Sequence, residues 1–175
     1  MEKKIEALKE LIGKDPNNVN AWRKLGQIYS QNGLIDKAIS TYKKLIELFP
    51  QNELFYQNLG FLLNEKEEYK IAIRFLKKAL EINPKLSSAW TELSYSYLDL
   101  GDYDNTIKTC KNALKLNPND EVALINLGSA YYNKKKYDKA IKALKTSLKI
   151  IPDHQFAQKV LSLAKKAKNE HQSLV

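Results

Sequence analysis

The stretch EVALINLGSAYYNKKKYDKAIKALKTSLKIIP, residues 121–152, decides the fold, because its pattern recurs upstream at a fixed interval of 34 residues. Proline falls at Pro16, Pro50, Pro84, Pro118 and Pro152, and leucine keeps the same spacing at Leu25, Leu59, Leu93 and Leu127. Such a period marks a stacked-repeat architecture, in which each unit buries its apolar face only against its neighbours. Two helical patterns lie inside the stretch. Leu124, Leu127, Gly128 and Tyr131 follow i, i+3, i+4, i+7 and share one face, which defines a helix A. After a polar turn at Asn133 to Lys136, Tyr137, Ala140, Ile141, Leu144 and Leu148 make a second such face, helix B. Pro152 disfavours the helical region for Ile151, so helix B is expected to stop at Ile150. Each unit is a helical hairpin.

Aligning the units gives a set of columns. A large apolar or aromatic column reads Trp22, Tyr56, Trp90, Leu124, and a small one four residues on reads Gly26, Gly60, Ser94, Gly128. A third reads Tyr29, Leu63, Tyr97, Tyr131, and a fourth Ala38, Ala72, Thr106, Ala140. Later columns run Tyr42, Leu76, Cys110, Leu144 and Leu45, Ala79, Ala113, Ser147. Small size in the Gly26 column allows helix B to approach closely, and the hydroxyl of Thr106 is expected to loosen the third hairpin slightly.

Aromatic, Leu-Gly, Tyr, Ala, aromatic and closing Pro in this order resemble the tetratricopeptide repeat, over Val19 to His154. The resemblance implies an all-α fold, a right-handed superhelical α-solenoid of antiparallel helix pairs. It divides a single domain over 1–175 into repeats at 19–52, 53–86, 87–120 and 121–154, with an N-terminal half-repeat or capping helix at 1–15 and a C-terminal capping helix at 155–170. At the front, Ile5, Leu8, Leu11 and Ile12 share one face in the helix B frame, which fits either a native cap or the second half of a preceding repeat. At the back, Lys159, Lys165, Lys166 and Lys168 fit the polar outer side of a cap over the last hairpin. The tail from Asn169 to Val175 is expected to fray, and its Ser-Leu-Val ending is not read as a recognition motif. Asn18, Ser87 and Asp120 are candidate caps for A helices.

One cysteine, Cys110, cannot form an internal disulfide and reads as a small buried hydrophobe. No basic segment followed by an apolar one opens the chain, and no run of about 18 apolar residues occurs. These features suggest a soluble protein of a reducing, cytoplasmic compartment, not integral to a membrane. The search for chemistry is empty. His154 and His171 are the only histidines, no glycine-rich phosphate loop is present, and the carboxylates at Glu67-Glu68 and Asp120-Glu121 sit at turns and helix starts. Neither catalytic residues, nor a metal site, nor a cofactor is expected, and the protein is read as no enzyme.

In the tetratricopeptide family the A helices line the concave surface. By that resemblance the positions left over from the hairpin core form a partner-binding groove of Arg23, Gln27, Leu54, Gln57, Asn58, Phe61, Thr91, Tyr95, Ile125, Asn126, Ser129 and Tyr132. Aromatic groups there would supply contact area while the amides bond a peptide backbone. The competing reading is that these side chains pack between successive A helices or against a terminal helix. Chaperone-binding members of the family resemble one another in a carboxylate clamp. The best window here, Arg23, Gln27, Asn58, Ser88 and Glu92, lacks the two cations of the third helix and places Glu92 against the carboxylate, and the later windows, through Asn126 and then Phe156 and Val160, lack them too, so chaperone tails are not expected as ligands.

Net charge is +9. Residues 1–133 hold 18 Lys and Arg against 17 Asp and Glu, while 134–175 hold 11 against 3, so the basicity is C-terminal. Lys43, Lys77, Lys111 and Lys145, beside Arg74, Lys108 and Lys142, run along the B helices as an outer stripe. Lysine is the usual filler of solvated helix positions, and the stripe has no aromatic platform for bases, which disfavours nucleic acid. The leading expectation is an interaction module or scaffold that binds a peptide segment or helix of another protein. Two alternatives stand beside it: a scaffold that self-assembles as a homo-oligomer through its terminal helices, and an electrostatic binder of an acidic surface.

Overall fold

The structure is a computed structural model and describes residues 1–172, with only the backbone of Gln172. Ten helices and no strand occur among the described residues: α1 (Glu2–Lys14), α2 (Val19–Gln31), α3 (Ile35–Leu48), α4 (Glu53–Glu65), α5 (Tyr69–Ile82), α6 (Ser87–Asp99), α7 (Tyr103–Leu116), α8 (Glu121–Asn133), α9 (Tyr137–Ile150) and α10 (Gln155–Gln172). The chain forms two compact units, Met1–Pro84 with α1 to α5 and Lys85–Val175 with α6 to α10. Inside each unit every helix packs on the next, and in the second unit α8 also touches α6 and α10.

The helix boundaries follow from residues that repeat every 34 positions. The A helices are started by Asn18, Asn52, Asp120 and His154, whose side chains accept from Ala21, Leu54, Ala123 and Ala157 backbone N–H groups. In α6 the cap position is Leu86, which has no such side chain, and Ser87 is the first helical residue. Its hydroxyl donates to the Ala113 carbonyl instead, at 3.3 Å, so it ties α6 to the end of α7. The A helices end where Gly33, Glu67, Gly101 and Lys135 take left-handed backbone conformations, φ +70°, +60°, +73° and +56°. Glycine adopts this without penalty, whereas Glu67 and Lys135 each bring a Cβ into the clash that disfavours it.

Within a hairpin the small column and its partner on helix B meet closely. A Cβ built on Gly60 would lie 2.5 Å from Leu76 Cγ, and one built on Gly128 the same distance from Leu144 Cγ. In the third repeat the small position has grown to Ser94 and its partner has shrunk to Cys110, both fully buried. A larger residue at the small position thus goes with a smaller one across the pair, as close packing requires. Thr106 is also fully buried, and its hydroxyl donates to the Asp102 carbonyl at 2.8 Å, so the hydroxyl in the Ala column is satisfied by its own helix. Burial pushes the Cys110 thiol up to about 12, outweighing its hydrogen bond with Ser94. Because reactivity follows the thiolate, a thiol reagent at pH 8 should modify Cys110 at least ~100-fold more slowly in the folded than in the denatured chain. Equal rates would contradict this burial.

Opposite charges join successive hairpins inside each unit. Asp36 near the start of α3 meets Lys66 after α4 at 2.8 Å, and Asp138 near the start of α9 meets Lys168 of α10 at 2.6 Å. Lys134 pairs likewise with Asp104, whose carboxyl it holds below the usual range through its hydrogen bond and charge. These exposed pairs contribute little stability each, but they fix the same register three times.

The last helix is longer than expected. Helix α10 runs for 18 residues, against 13 in α8, so Asn169 to Gln172 are helical and not frayed. Lys166 pairs with Glu170 one turn on at 3.8 Å, and the His171 ring lies 6.4 Å from that of Tyr137. Ser173, Leu174 and Val175 lie outside the described residues. No helix among the described residues is long and apolar enough to cross a membrane.

Candidate partner-binding surface

The A-helix positions left over from the hairpin cores divide into open and closed ones. In the first unit Arg23 and Gln27 of α2 are exposed, with Arg23 Nη2 donating to Asn20 Oδ1 at 3.5 Å. On α4, Leu54 and Phe61 are 46% and 40% exposed and stand seven residues apart, on one face. Gln57 and Asn58 between them are half-buried. Asn58 Nδ2 donates to the Leu54 carbonyl at 2.6 Å, so its amide N–H serves its own helix before any partner.

In the second unit the expectation fails at four positions. Thr91 is buried and its hydroxyl donates to the Asp120 carboxylate. Asn126, also buried, donates to Ser94 Oγ at 3.0 Å, joining α8 to α6. Ile125 packs with Leu144, Ala157, Val160 and Leu161 beneath α10. Ser129 is buried, and its Oγ has no hydrogen-bond partner among the described residues. These four residues pack between A helices or under the terminal helix and are not open to a partner. The cause is the neighbouring helix, which covers columns that stay open at Arg23 and Gln27. Tyr95 remains 38% exposed, and Tyr132 is half-buried with its ring 6.2 Å from Tyr137.

Three open apolar groups were missed. Val122, Phe156 and Leu163 are 42%, 51% and 41% exposed. The period could have found them, since Leu54 continues through Ser88 to Val122 and Phe156, and Phe61 through Tyr95 and Ser129 to Leu163. The second unit therefore shows Tyr95 on α6, Val122 on α8, and Phe156 and Leu163 on α10, with exposed Lys159 and Lys166 on the same last helix.

No group of three or more His, Cys, Asp or Glu among the described residues could hold a metal ion. The Lys43, Lys77, Lys111 and Lys145 stripe is exposed along the B helices. A cleft of about 400 Å³ opens between α1 and α2, lined by Lys4, Ala7, Leu8, Lys24, Gln27 and Ile28.

Among the described residues, four helical hairpins from α2 to α9, set at a 34-residue period around a column of small residues and flanked by α1 and α10, define a helical-hairpin repeat protein. The chain belongs to the tetratricopeptide repeat family, whose models match residues 5–59 and 97–165, 55–86 and 75–108. The crystal structure of MamA is 30% identical, covers 85% of this chain and 86% of its own, and superposes with a TM-score of 0.79. A second MamA structure is 31% identical over 83% of this chain and 80% of its own, with a TM-score of 0.77. YrrB, a TPR protein with an unusual peptide-binding site, is 22% identical, covers 90% of this chain and 81% of its own, and has a TM-score of 0.78, a likeness of fold. A comparison with curated proteins gives no match. The fold is thus the all-α tetratricopeptide solenoid, and family and fold together make the protein an interaction scaffold.

Proposed function

We infer that the protein, taken as one domain over 1–175, is a non-enzymatic adaptor whose open A-helix face binds a segment of another protein. The observation that carries this is the pair Leu54 and Phe61, two large apolar side chains exposed on one face of one helix. Exposed apolar groups in register, bordered by polar ones, mark an interaction surface. Half-buried Gln57 and Asn58, between Leu54 and Phe61 on the same helix, are polar. An amphipathic helix or an extended segment with two apolar anchors suits such a face, at about micromolar affinity as for transient interfaces. The peptide-binding site of YrrB, on the same fold, is in keeping with this use. A single buried thiol is compatible with the proposed cytoplasmic setting.

Affinity capture from source-cell lysate tests the reading. A protein retained by the wild type and lost by Leu54→Glu/Phe61→Glu is expected; equal capture by both would contradict it. Neither substitution touches a fully buried position, so folding should be kept.

Self-assembly by completion of the last hairpin is disfavoured by α10 itself. The positions that in other A helices hold Trp22, Gly26 and Tyr29 against helix B are Gln158, Ser162 and Lys165, all exposed. A second copy's α1 seated there would meet three polar side chains in place of the aromatic and small residues that hold helix B elsewhere.

A further inference from the structure

The turn between α8 and α9 departs from its equivalents. Residues 32–34, 66–68 and 100–102 read Asn-Gly-Leu, Lys-Glu-Glu and Leu-Gly-Asp, whereas 134–136 read Lys-Lys-Lys. Two of these lysines occupy locally unfavourable places. Lys135 takes the left-handed conformation, φ +56°, that Gly101 takes without a Cβ. Lys136 is the cap residue of α9 and makes no side-chain cap bond, so a cation stands at the positive end of a helix. Of the matching places only Asp102 accepts from its helix, from the Asn105 N–H, while Leu34 and Glu68 also make no side-chain cap bond. Glu67 shares the left-handed conformation, φ +60°, so what sets this turn apart is its three adjacent cations, one of them at the N-terminus of a helix.

Both lysines line a cleft of about 390 Å³, together with Lys139, Lys168, Tyr137 and His171. Its one carboxylate, Asp138, is already tied to Lys168 at 2.6 Å. Lys135 and Lys136 are exposed and enter no ion pair among the described residues, although the charge of Lys136 acts on the Asp104 carboxylate, while Lys139 lies 5.8 Å over the Tyr131 ring. The extra turn of α10 brings Lys168 and His171 to this wall. Positive charge is thereby gathered in a concavity of the size that small ligands occupy.

We propose that this cleft binds a compact, soluble phosphate-bearing anion of two or more negative charges, held chiefly by Lys135, Lys136 and Lys139. Lysines act as point charges with three donors each, which suits phosphate oxygens approached from several sides. The cleft is too small for a strand of nucleic acid, and no row of aromatic faces is present to stack its bases. The site is independent of the apolar A-helix face.

Pyrophosphate titrated into the full chain by calorimetry at low salt tests it. The variant Lys135→Gly/Lys136→Asp installs the turn that Gly101 and Asp102 make, so it should melt at a higher temperature than the wild type and yet bind pyrophosphate at least about tenfold more weakly. A control, Lys142→Gln/Lys145→Glu, removes the same net charge from the exposed side of α9 and should bind like the wild type. Equal loss in the control would reduce the effect to bulk charge and overturn the site. So would wild-type affinity in the turn variant, no pyrophosphate binding by the wild type, or binding to vesicles of phosphatidic acid without binding to pyrophosphate.

Discussion

Replacing Gly128 by Ser will lower the stability of the Lys85–Val175 unit, and adding Leu144→Cys will restore part of the loss. The new Cβ would lie 2.5 Å from Leu144 Cγ and 2.9 Å from Cδ2, and Leu144 is fully buried, so it has nowhere to move. Overpacking of this kind costs about 1–3 kcal/mol, partly offset by the better helix propensity of serine. Leu144→Cys alone leaves a cavity under α10 and should cost about 2–3 kcal/mol, toward the lower end of large-to-small core changes. Together the two substitutions recreate the natural Ser94 and Cys110 pair, in which serine and cysteine stand where glycine and leucine stand in the second and fourth repeats. Thermal or denaturant unfolding of the four chains should therefore give a coupling energy of roughly 1–2 kcal/mol in favour of the pair. Strict additivity would show that the columns are filled independently.

Ending the chain at His154 will have the larger effect. Helix α10 contributes the buried side chains Ala157, Val160, Leu161 and Ala164, and it covers Ile125 and Leu144. Burying a Val or Leu side chain is worth about 1.5–3 kcal/mol, so Val160 and Leu161 alone contribute ~3–6 kcal/mol. That is comparable with the whole stability of an ordinary domain, about 5–15 kcal/mol. Hydrogen exchange on the shortened chain should show α8 and α9 losing protection while α2 to α5 keep theirs. The variant Leu161→Asp in the full-length chain should move the same amides in the same direction. Unchanged protection in both chains would mean that α10 is an appendage and not a cap.

How much of this was legible in the sequence depends on whether a position answers to its own repeat or to the next one. The hairpins were legible because proline, leucine and the small column repeat within each unit, and α9 stops at Ile150 ahead of Ile151 and Pro152. The open face was only partly legible. Arg23 and Ile125 stand in one column, yet Arg23 is exposed and Ile125 is covered by α10, and nothing inside a single repeat distinguishes them. Asn126 looked like an amide available to a peptide backbone, but Ser94 supplies its acceptor from 32 residues upstream. Its partner could be named only once the contact between α6 and α8 was known. The end of α10 was hidden in part: Asp138 holds Lys168 as Asp36 holds Lys66 and Asp104 holds Lys134, but the ring contact of His171 with Tyr137 has no earlier counterpart to predict it.

The apolar A-helix face is the central claim, and calorimetry of the captured partner tests it most directly. The partner would be titrated into the wild type, into Leu54→Glu/Phe61→Glu, and into the outer-face variant Lys43→Glu/Lys77→Glu. The account predicts that the first variant loses at least about tenfold in affinity, since replacing an interface anchor costs more than 1 kcal/mol, while the second binds as the wild type does. The reverse order, with the lysine variant impaired and the Leu54 and Phe61 variant unaffected, would contradict it and move the interface to the B helices.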